Sequence, residues 1–187
     1  LFNYFYLVNI NTGDYMKIRL GYACITNCLD FTSSSPYTYG EYLKYGDMEK
    51  LDRVIVSNLK SLEEIIYYNI KNNIHFYRMS SKIIPLAITR DVKFDYINKY
   101  KSYYDKIGKM ISDYDMRVDF HPDQFCVLNS VKSDVVSASI DILKYHYSLL
   151  EALGIKNKIL VLHVGSNSFG KDNSIRRFIN NFNNLPK

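Results

Sequence analysis

The chain has 187 residues, 47% of them hydrophobic, which suffices for one domain or for part of a larger one. Its net charge of +5 fits a nucleic-acid partner, and with no apolar run near ~20 residues we predict no membrane-spanning helix and no membrane partner. Three cysteines at irregular spacing argue against a disulfide framework and favour a reducing compartment.

The first part of the chain combines a short strand with a long polar loop. Residues 1–15 precede the first methionine and are interpreted as a possible upstream extension, so that the domain covers residues 16–187. Residues 17–22 alternate polar and apolar side chains, as a β-strand does. The polar stretch from Thr26 to Asp47 has the length of a functional or mobile loop.

Helices and strands alternate through the middle of the chain. Apolar residues recur every three or four positions from about Glu49 to Ile70, which predicts a helix. Strands are predicted at residues 74–79 and 116–120, with a second helix at about 94–112 between them.

The last third of the chain repeats this plan. Ser133 or Asp134 is predicted to cap a helix that ends before Gly154. Residues 159–164 form a near-continuous apolar run, typical of a parallel strand that is buried on both faces, and a final helix is predicted to begin at residues 172–174. The expected buried stripe of the earlier helix consists of Val136, Ile140, Leu143, Tyr147 and Leu150.

Four successive strand–helix units favour a parallel sheet covered by helices. The predicted strand ends, at Met79, His121 and His163, are equally spaced along the chain, which suits a TIM (β/α)8 barrel better than a doubly wound sheet. A complete barrel takes ~250 residues. We therefore expect an α/β fold in which this chain supplies roughly the first four βα units, as the N-terminal part of a single barrel domain.

Two of the four histidines stand where a barrel places its active site. His121 and His163 each end a predicted strand, and the carboxyl ends of barrel strands form the catalytic rim. Neutral imidazole is a common ligand of divalent transition ions, so the pair predicts a metal site to which further ligands must contribute. His75 is interpreted as a partly exposed strand residue and His146 as a surface residue of a helix.

Other residues near His121 allow more than one interpretation. Asp119 alternates onto the same side of the strand, either as a metal ligand or its support, or as a polar residue of the barrel interior. Arg78 either faces a phosphate or pairs with Asp119. Gln124 and Phe125 follow in the loop, where they either stack on a base and bond to its edge or anchor the loop.

Several blocks of sequence occur in a fixed order between Met16 and Lys187. The most specific are His121-Pro122-Asp123-Gln124-Phe125 and Leu162-His163-Val164-Gly165. Together they resemble the N-terminal part of the UV damage endonucleases, metal-dependent repair nucleases related in fold to endonuclease IV. The remaining blocks cover residues 18–24, 58–59, 76–81, 84–87 and 127–130.

The resemblance implies a TIM barrel that binds divalent ions, commonly Mn²⁺, with Mg²⁺ or Co²⁺ possible. Its members cleave the DNA backbone immediately 5′ of UV photoproducts, both pyrimidine dimers and 6-4 photoproducts. By this resemblance His121 and His163 are metal ligands. Gln124 and Phe125 are the pair that probes the lesion where the damaged bases leave the duplex, a step that costs a few kcal/mol.

The resemblance also implies the partners of the chain. Tyr22 lines the pocket for the extruded lesion, Asn27 is a further candidate there, and Arg78 and Lys171 are expected DNA contacts. The partner is double-stranded DNA that carries UV lesions, and no obligate protein partner is expected. We therefore expect a cytoplasmic location, associated with the nucleoid if the source is prokaryotic.

Two departures from the family pattern stand out. Thr89 occupies a position where some members carry a ligand histidine, and Asp123 replaces a glycine, where it would repel DNA or bind an ion. The remaining ligands of the family belong to the second half of the barrel, so we expect them beyond Lys187 and assign no catalytic residue in this chain. Alternatives are a related metal-dependent barrel, namely an abasic-site endonuclease or a sugar isomerase, or an inactive DNA-binding half-barrel.

Overall fold

A computed structural model of the chain describes residues 18–185. The predicted extension at residues 1–15 lies outside this range. No helix among residues 18–185 is both long and apolar enough to cross a membrane. The elements are β1 (Gly21–Ala23), α1 (Tyr39–Tyr45), α2 (Met48–Lys71), β2 (Phe76–Met79), α3 (Tyr96–Lys99), α4 (Lys101–Asp113), β3 (Arg117–Phe120), α5 (Ser133–Ala152) and α6 (Lys171–Asn183).

The strands form a parallel sheet in the order β1-β2-β3. A fourth parallel segment follows, because Phe120 bridges Leu160 and exchanges backbone hydrogen bonds with Ile159 and Val161. The predicted parallel α/β architecture is thus confirmed. The prediction that residues 159–164 are buried on both faces is wrong: residues 159–162 are half-buried and 163–164 exposed, and no strand of residues 18–185 pairs with their outer side.

The two faces of the sheet have different chemistry. Tyr77, Met79, Val118 and Phe120 point towards the helices and belong to the main apolar core. The residues that alternate with them point to the opposite face, where Arg78 lies directly beside Asp119. This alternation separates a packed helical layer from a polar side of the sheet.

Helix α2 is the main support of the sheet and confirms the predicted helix at 49–70. Its side chains at spacings of three and four are buried, and Asp47 caps it by accepting a hydrogen bond from the Lys50 backbone N–H at 2.7 Å. Burial of such a stripe is the main source of helix stability in a domain. The buried apolar residues are Leu51, Ile55, Leu59, Leu62, Ile65 and Ile66.

Two predicted segments are divided differently in the structure. The predicted loop 26–47 contains α1, which starts with a reciprocal capping box between Thr38 and Glu41. The predicted helix 94–112 is two helices, α3 and α4, that meet at Tyr100. The tyrosine ring is buried there, and its hydroxyl donates to Asp52 Oδ1 at 2.7 Å, which fixes the bend between the helices.

Helix α5 is turned relative to the prediction. Its buried line includes Ser139 and His146, whereas Tyr147 is 48% exposed. The predicted surface position of His146 is therefore wrong: the imidazole is 2% exposed and packs on Phe120 with ring centroids 4.9 Å apart. His75, as predicted, is partly exposed.

The ends of α5 and α6 also differ in detail from the sequence interpretation. Lys132, and neither predicted cap, is the N-cap of α5, and its side chain makes no capping bond. Gly154 does follow the helix, with φ +66°, a left-handed conformation that glycine adopts without strain. Helix α6 begins at Lys171 after Gly170, slightly earlier than predicted.

Candidate metal and DNA-binding site

His121 and His163 lie side by side at the carboxyl ends of neighbouring parallel segments. Their ring centroids are 4.7 Å apart and the rings are nearly perpendicular, at 84°. The Ser81 hydroxyl donates to the His121 carbonyl oxygen at 2.7 Å, which ties the end of β3 to the loop after β2. The two histidines predicted from the sequence as a pair are thus brought together by the fold.

The electrostatics favour a neutral imidazole at His121. Burial lowers its pKa below the ordinary value of 6.5, and the neighbouring His163 and Arg78 lower it further, against the opposing charge of Asp119. A neutral imidazole has a free lone pair for a metal ion. The donor type and the close approach of the rings therefore fit a divalent ion as part of a ligand set.

The described residues supply only these two histidines to such a set. No group of three or more His, Cys, Asp and Glu side chains within residues 18–185 is placed to hold a metal ion. Thr89, at the position of a ligand histidine in some family members, lies in a turn where its N–H donates to Leu86 and its carbonyl accepts from Val92. Among residues 18–185 the fold therefore brings together two candidate ligands, His121 and His163.

A buried ion pair lies on the polar face of the sheet below His121. Arg78 Nε is 2.7 Å from Asp119 Oδ1, and Arg78 Nη2 is 3.2 Å from Asp119 Oδ2. The two side chains are 8% and 1% exposed. Of the alternatives left open by the sequence, pairing is the one observed, and contact of Arg78 with DNA stays a prediction.

Gln124 and Phe125 project from an anchored turn after His121. Asp123 Oδ1 accepts the Phe125 backbone N–H at 2.9 Å, and the Asp123 carbonyl accepts the Cys126 N–H at 3.0 Å. Asp123 therefore has a local role in the turn that a glycine could not supply. Phe125 is 70% exposed and Gln124 is exposed, so both side chains are available to a partner.

Asn129 joins this loop to the loop that follows His163. Its side chain donates to the Ser166 carbonyl at 2.7 Å and accepts the Ser166 N–H at 3.1 Å, while Arg177 Nε donates to the Asn129 carbonyl at 2.8 Å. Gly165 makes the contact possible, since a Cβ there would lie 2.2 Å from Asn129 Oδ1. The bridging roles of Asn129 and Arg177 could not be predicted from the sequence, because a side chain that bridges two loops leaves no periodic signal.

The other predicted DNA contacts lie at different places. Tyr22 packs against the core on the helix-facing side, and its hydroxyl donates to Asn69 Oδ1 at 2.8 Å. Burial raises the pKa of Tyr22 to about 12, so the hydroxyl stays protonated at neutral pH. Asn27 is exposed in the loop after β1, and Lys171 is exposed at the first turn of α6. Their contacts with DNA stay predictions.

Comparison with known proteins finds one family over nearly the whole chain. The sequence model of the family described as UV-endonuclease UvdE matches residues 18–187. Over 176 residues the chain is 36% identical to proteins named UV DNA damage endonuclease from Bacillus cereus (strain B4264) and Bacillus mycoides (strain KBAB4), covering 91% of this chain and 56% of each relative. The chain thus spans just over half the length of these relatives.

A solved structure shares the fold. The crystal structure of SacUVDE superposes with a TM-score of 0.84 at 36% sequence identity, and the match covers 91% of this chain and 57% of that one. The chain therefore belongs to the UV-endonuclease UvdE family.

Proposed function

We propose that this chain is the N-terminal part of a metal-dependent endonuclease that repairs UV-damaged DNA by nicking the backbone 5′ of pyrimidine dimers and 6-4 photoproducts. The observation that carries the proposal is the His121–His163 pair, with ring centroids 4.7 Å apart at the ends of two parallel segments. Relatives 36% identical are named UV DNA damage endonuclease. The expected location is the cytoplasm, at the nucleoid if the source is prokaryotic.

In this proposal His121 and His163 hold a divalent ion, Mn²⁺ first and Mg²⁺ or Co²⁺ as substitutes, together with ligands from outside the described residues. The chemistry expected of such ions is stabilisation of the phosphate charge and of the leaving 3′ oxygen, with activation of water. Arg78 and Asp119 form a buried, hydrogen-bonded ion pair on the face of the sheet next to His121. Because Arg78 pairs with Asp119, the buried Asp119 carboxylate is not left as an unpaired charge.

Recognition of the lesion is assigned to the exposed loop residues. Phe125 presents an aromatic face that suits stacking on a base, and Gln124 beside it carries an amide that bonds to base edges. A crosslinked photoproduct distorts the duplex, so extruding it costs less than extruding intact bases. Selectivity of this kind comes from shape and deformability and needs no reading of sequence.

Metal binding tests the site directly. In a protein that contains this chain together with the remaining ligands, titration with Mn²⁺, followed by electron paramagnetic resonance, is expected to show a bound ion. His121→Ala and His163→Ala are each expected to weaken its binding by tenfold or more, since loss of even an outer-shell partner of a ligand costs about 10–100-fold. His75→Ala is the matched control, because His75 lies immediately before β2, at the opposite end of the strand, and stacks on Tyr114. Equal binding by all three variants would contradict the assignment.

Activity tests the substrate. With Mn²⁺, a protein that contains this chain together with the remaining ligands is expected to nick UV-irradiated supercoiled plasmid and to spare the unirradiated plasmid. Equal nicking of both plasmids would overturn the lesion specificity. Loss of nicking in the His121→Ala variant, with retained binding of the irradiated DNA, would separate the metal site from recognition.

A further inference from the structure

Phe169 is an exposed aromatic residue to which the site described above gives no role. Its side chain is 76% exposed, and Phe125 follows at 70%; these are the two most exposed large apolar side chains of residues 18–185. Each lies on a loop that follows one of the two paired histidines. Such exposure costs hydrophobic free energy with no gain in packing, which points to contact with a partner.

The backbone at Phe169 is held in an uncommon conformation. Its φ is +61°, in the left-handed region that a bulky L-residue adopts only under strain. The neighbouring glycine, Gly170, would accept such a φ freely, yet the aromatic residue is the one placed at this position. The exposed Phe169 ring adds nothing to the core of the protein, so packing within the chain does not explain why this residue occupies a strained position.

Hydrogen bonds fix the loop on both sides of the ring. The Ser168 carbonyl accepts from Arg177 Nη2 at 2.6 Å and from the Ser174 hydroxyl at 3.1 Å, and the Phe169 carbonyl accepts from Asn173 Nδ2 at 2.9 Å. The ring is thus carried by a loop whose backbone is held by hydrogen bonds. A loop backbone that is ordered before binding loses less conformational entropy when it contacts a ligand.

The same loop is joined to the loop of Phe125. Two hydrogen bonds between Asn129 and Ser166 connect them, and both loops extend from the carboxyl end of the sheet. Lys171, two residues after Phe169 in the sequence, is also exposed. Exposed aromatic and cationic side chains are the combination that binds unstacked nucleotides, through base stacking and phosphate contact.

We propose that Phe169 is a second stacking residue for damaged DNA, which takes an unstacked base of the distorted duplex while Phe125 takes another. This inference rests on the proposed function, since it assigns a residue to the recognition of the same substrate. It predicts that lesion DNA is held by two aromatic contacts from two loops.

The chain contains no tryptophan, so one introduced tryptophan reports on its own surroundings. In the Phe169→Trp variant, a duplex that was UV-irradiated is expected to quench the indole fluorescence by stacking. Phe182→Trp is the matched control, because Phe182 is 50% exposed near the C-terminal end of α6, whereas Phe169 lies just before the N-terminal end of that helix. Anisotropy of the dye-labelled duplex measures binding in parallel.

Affinity and stability together distinguish a binding role from a structural one. Phe169→Ala is expected to weaken binding of the irradiated duplex by about fivefold or more, the lower end of the contribution of one stacked base, and Phe169→Tyr is expected to restore it. Phe169→Gly is expected to lose affinity equally while its unfolding midpoint stays the same or rises, because glycine relieves the strain.

The outcomes separate the two proposals. If Phe125→Ala weakens binding and Phe169→Ala does not, with no quenching in Phe169→Trp, the inference is wrong and the proposed function stands. If the unsubstituted chain shows no preference for the irradiated duplex over the intact one, the proposed substrate fails and the inference fails with it.

Discussion

His146 links the stability of the protein to pH through a single buried side chain. Its Nδ1–H donates to the Ile142 carbonyl at 2.8 Å, and Nε2 has no partner among the described residues. Burial lowers its pKa to about 4, whereas an unfolded histidine titrates near 6.5. Between these values the unfolded chain binds a proton that the folded chain excludes, so stability falls as the pH drops through this window.

The expected result is a loss of about 2 kcal/mol in the free energy of unfolding between pH 7.5 and pH 5 from His146 alone. The variant His146→Phe keeps an apolar ring beside Phe120 and removes the titration, so its loss over the same range is smaller by that amount. Urea denaturation at the two pH values measures both. An unchanged pH dependence in the variant would show that the imidazole is not responsible.

At the same scale, His146 and Asp123 show why single residues resist interpretation from the sequence. The buried face of α5 includes Ser139 and His146. The predicted stripe lies to one side of this face, because it counts only apolar residues and Tyr147 as buried. For Asp123 the sequence suggests a role for its charge, towards DNA or an ion. In the structure its short side chain accepts the Phe125 N–H and completes a turn. In both cases a neighbour distant in sequence, or a local hydrogen bond, decides the role.

At the scale of elements, strands β2 and β3 are joined by charge as well as by backbone. The Arg78–Asp119 pair is buried from solvent on one face of the two strands. Removal of one partner leaves the other as a buried charge, whose cost exceeds the gain from the pair itself.

Arg78→Met is therefore expected to lower the free energy of unfolding by about 3–5 kcal/mol, and the double variant with Asp119→Leu to recover much of that loss. Denaturant unfolding of the two variants measures the difference. Lys109→Met, which breaks the exposed pair with Asp113 on α4, is the control and should cost less than about 1 kcal/mol. A double variant no more stable than Arg78→Met would mean that the charge is not the cause.

Most elements could be predicted from the sequence because burial follows a period. The stripe of α2 carries such a signal, whereas the strands that end at Met79 and Phe120 are buried almost throughout and are marked by short apolar runs. The stop at Gly154 is marked by the glycine itself, with φ +66°. The break at Tyr100 carries no such signal, since it depends on a hydroxyl that reaches Asp52 on another helix. Helix α1 was missed although its capping box, Thr38 with Glu41, was readable.

At the scale of the whole molecule, one flank of the fold is apolar and exposed. Residues 159–164 pair with β3 on one side only within the described range, and α6 next to them exposes Ile175, Ile179 and Phe182 by 39–50%. An open strand edge beside an apolar helix face favours association between chains. The chain handled by itself is expected to self-associate as its concentration rises.

A charge on this flank is expected to oppose that association. Ile179→Lys should raise the fraction of monomer in sedimentation velocity at high concentration, while the circular dichroism spectrum stays unchanged, because the side chain is 49% exposed. Asn180→Lys, on the same helix, controls for added charge alone. An equal gain in both variants would assign the effect to net charge and not to the apolar flank.

The histidine pair could be predicted from its position at the ends of strands. The clasp between the two loops, formed by the hydrogen bonds of the Asn129 side chain with the Ser166 backbone, could not. That clasp has a thermodynamic consequence for the proposed metal site. Asn129 fixes the loop after His121 to the loop after His163 as the chain folds. The conformational entropy of bringing the two imidazoles together is therefore lost during folding and not when an ion binds. The metal affinity of the proposed site then depends partly on the Asn129 side-chain amide, which is not itself a proposed ligand.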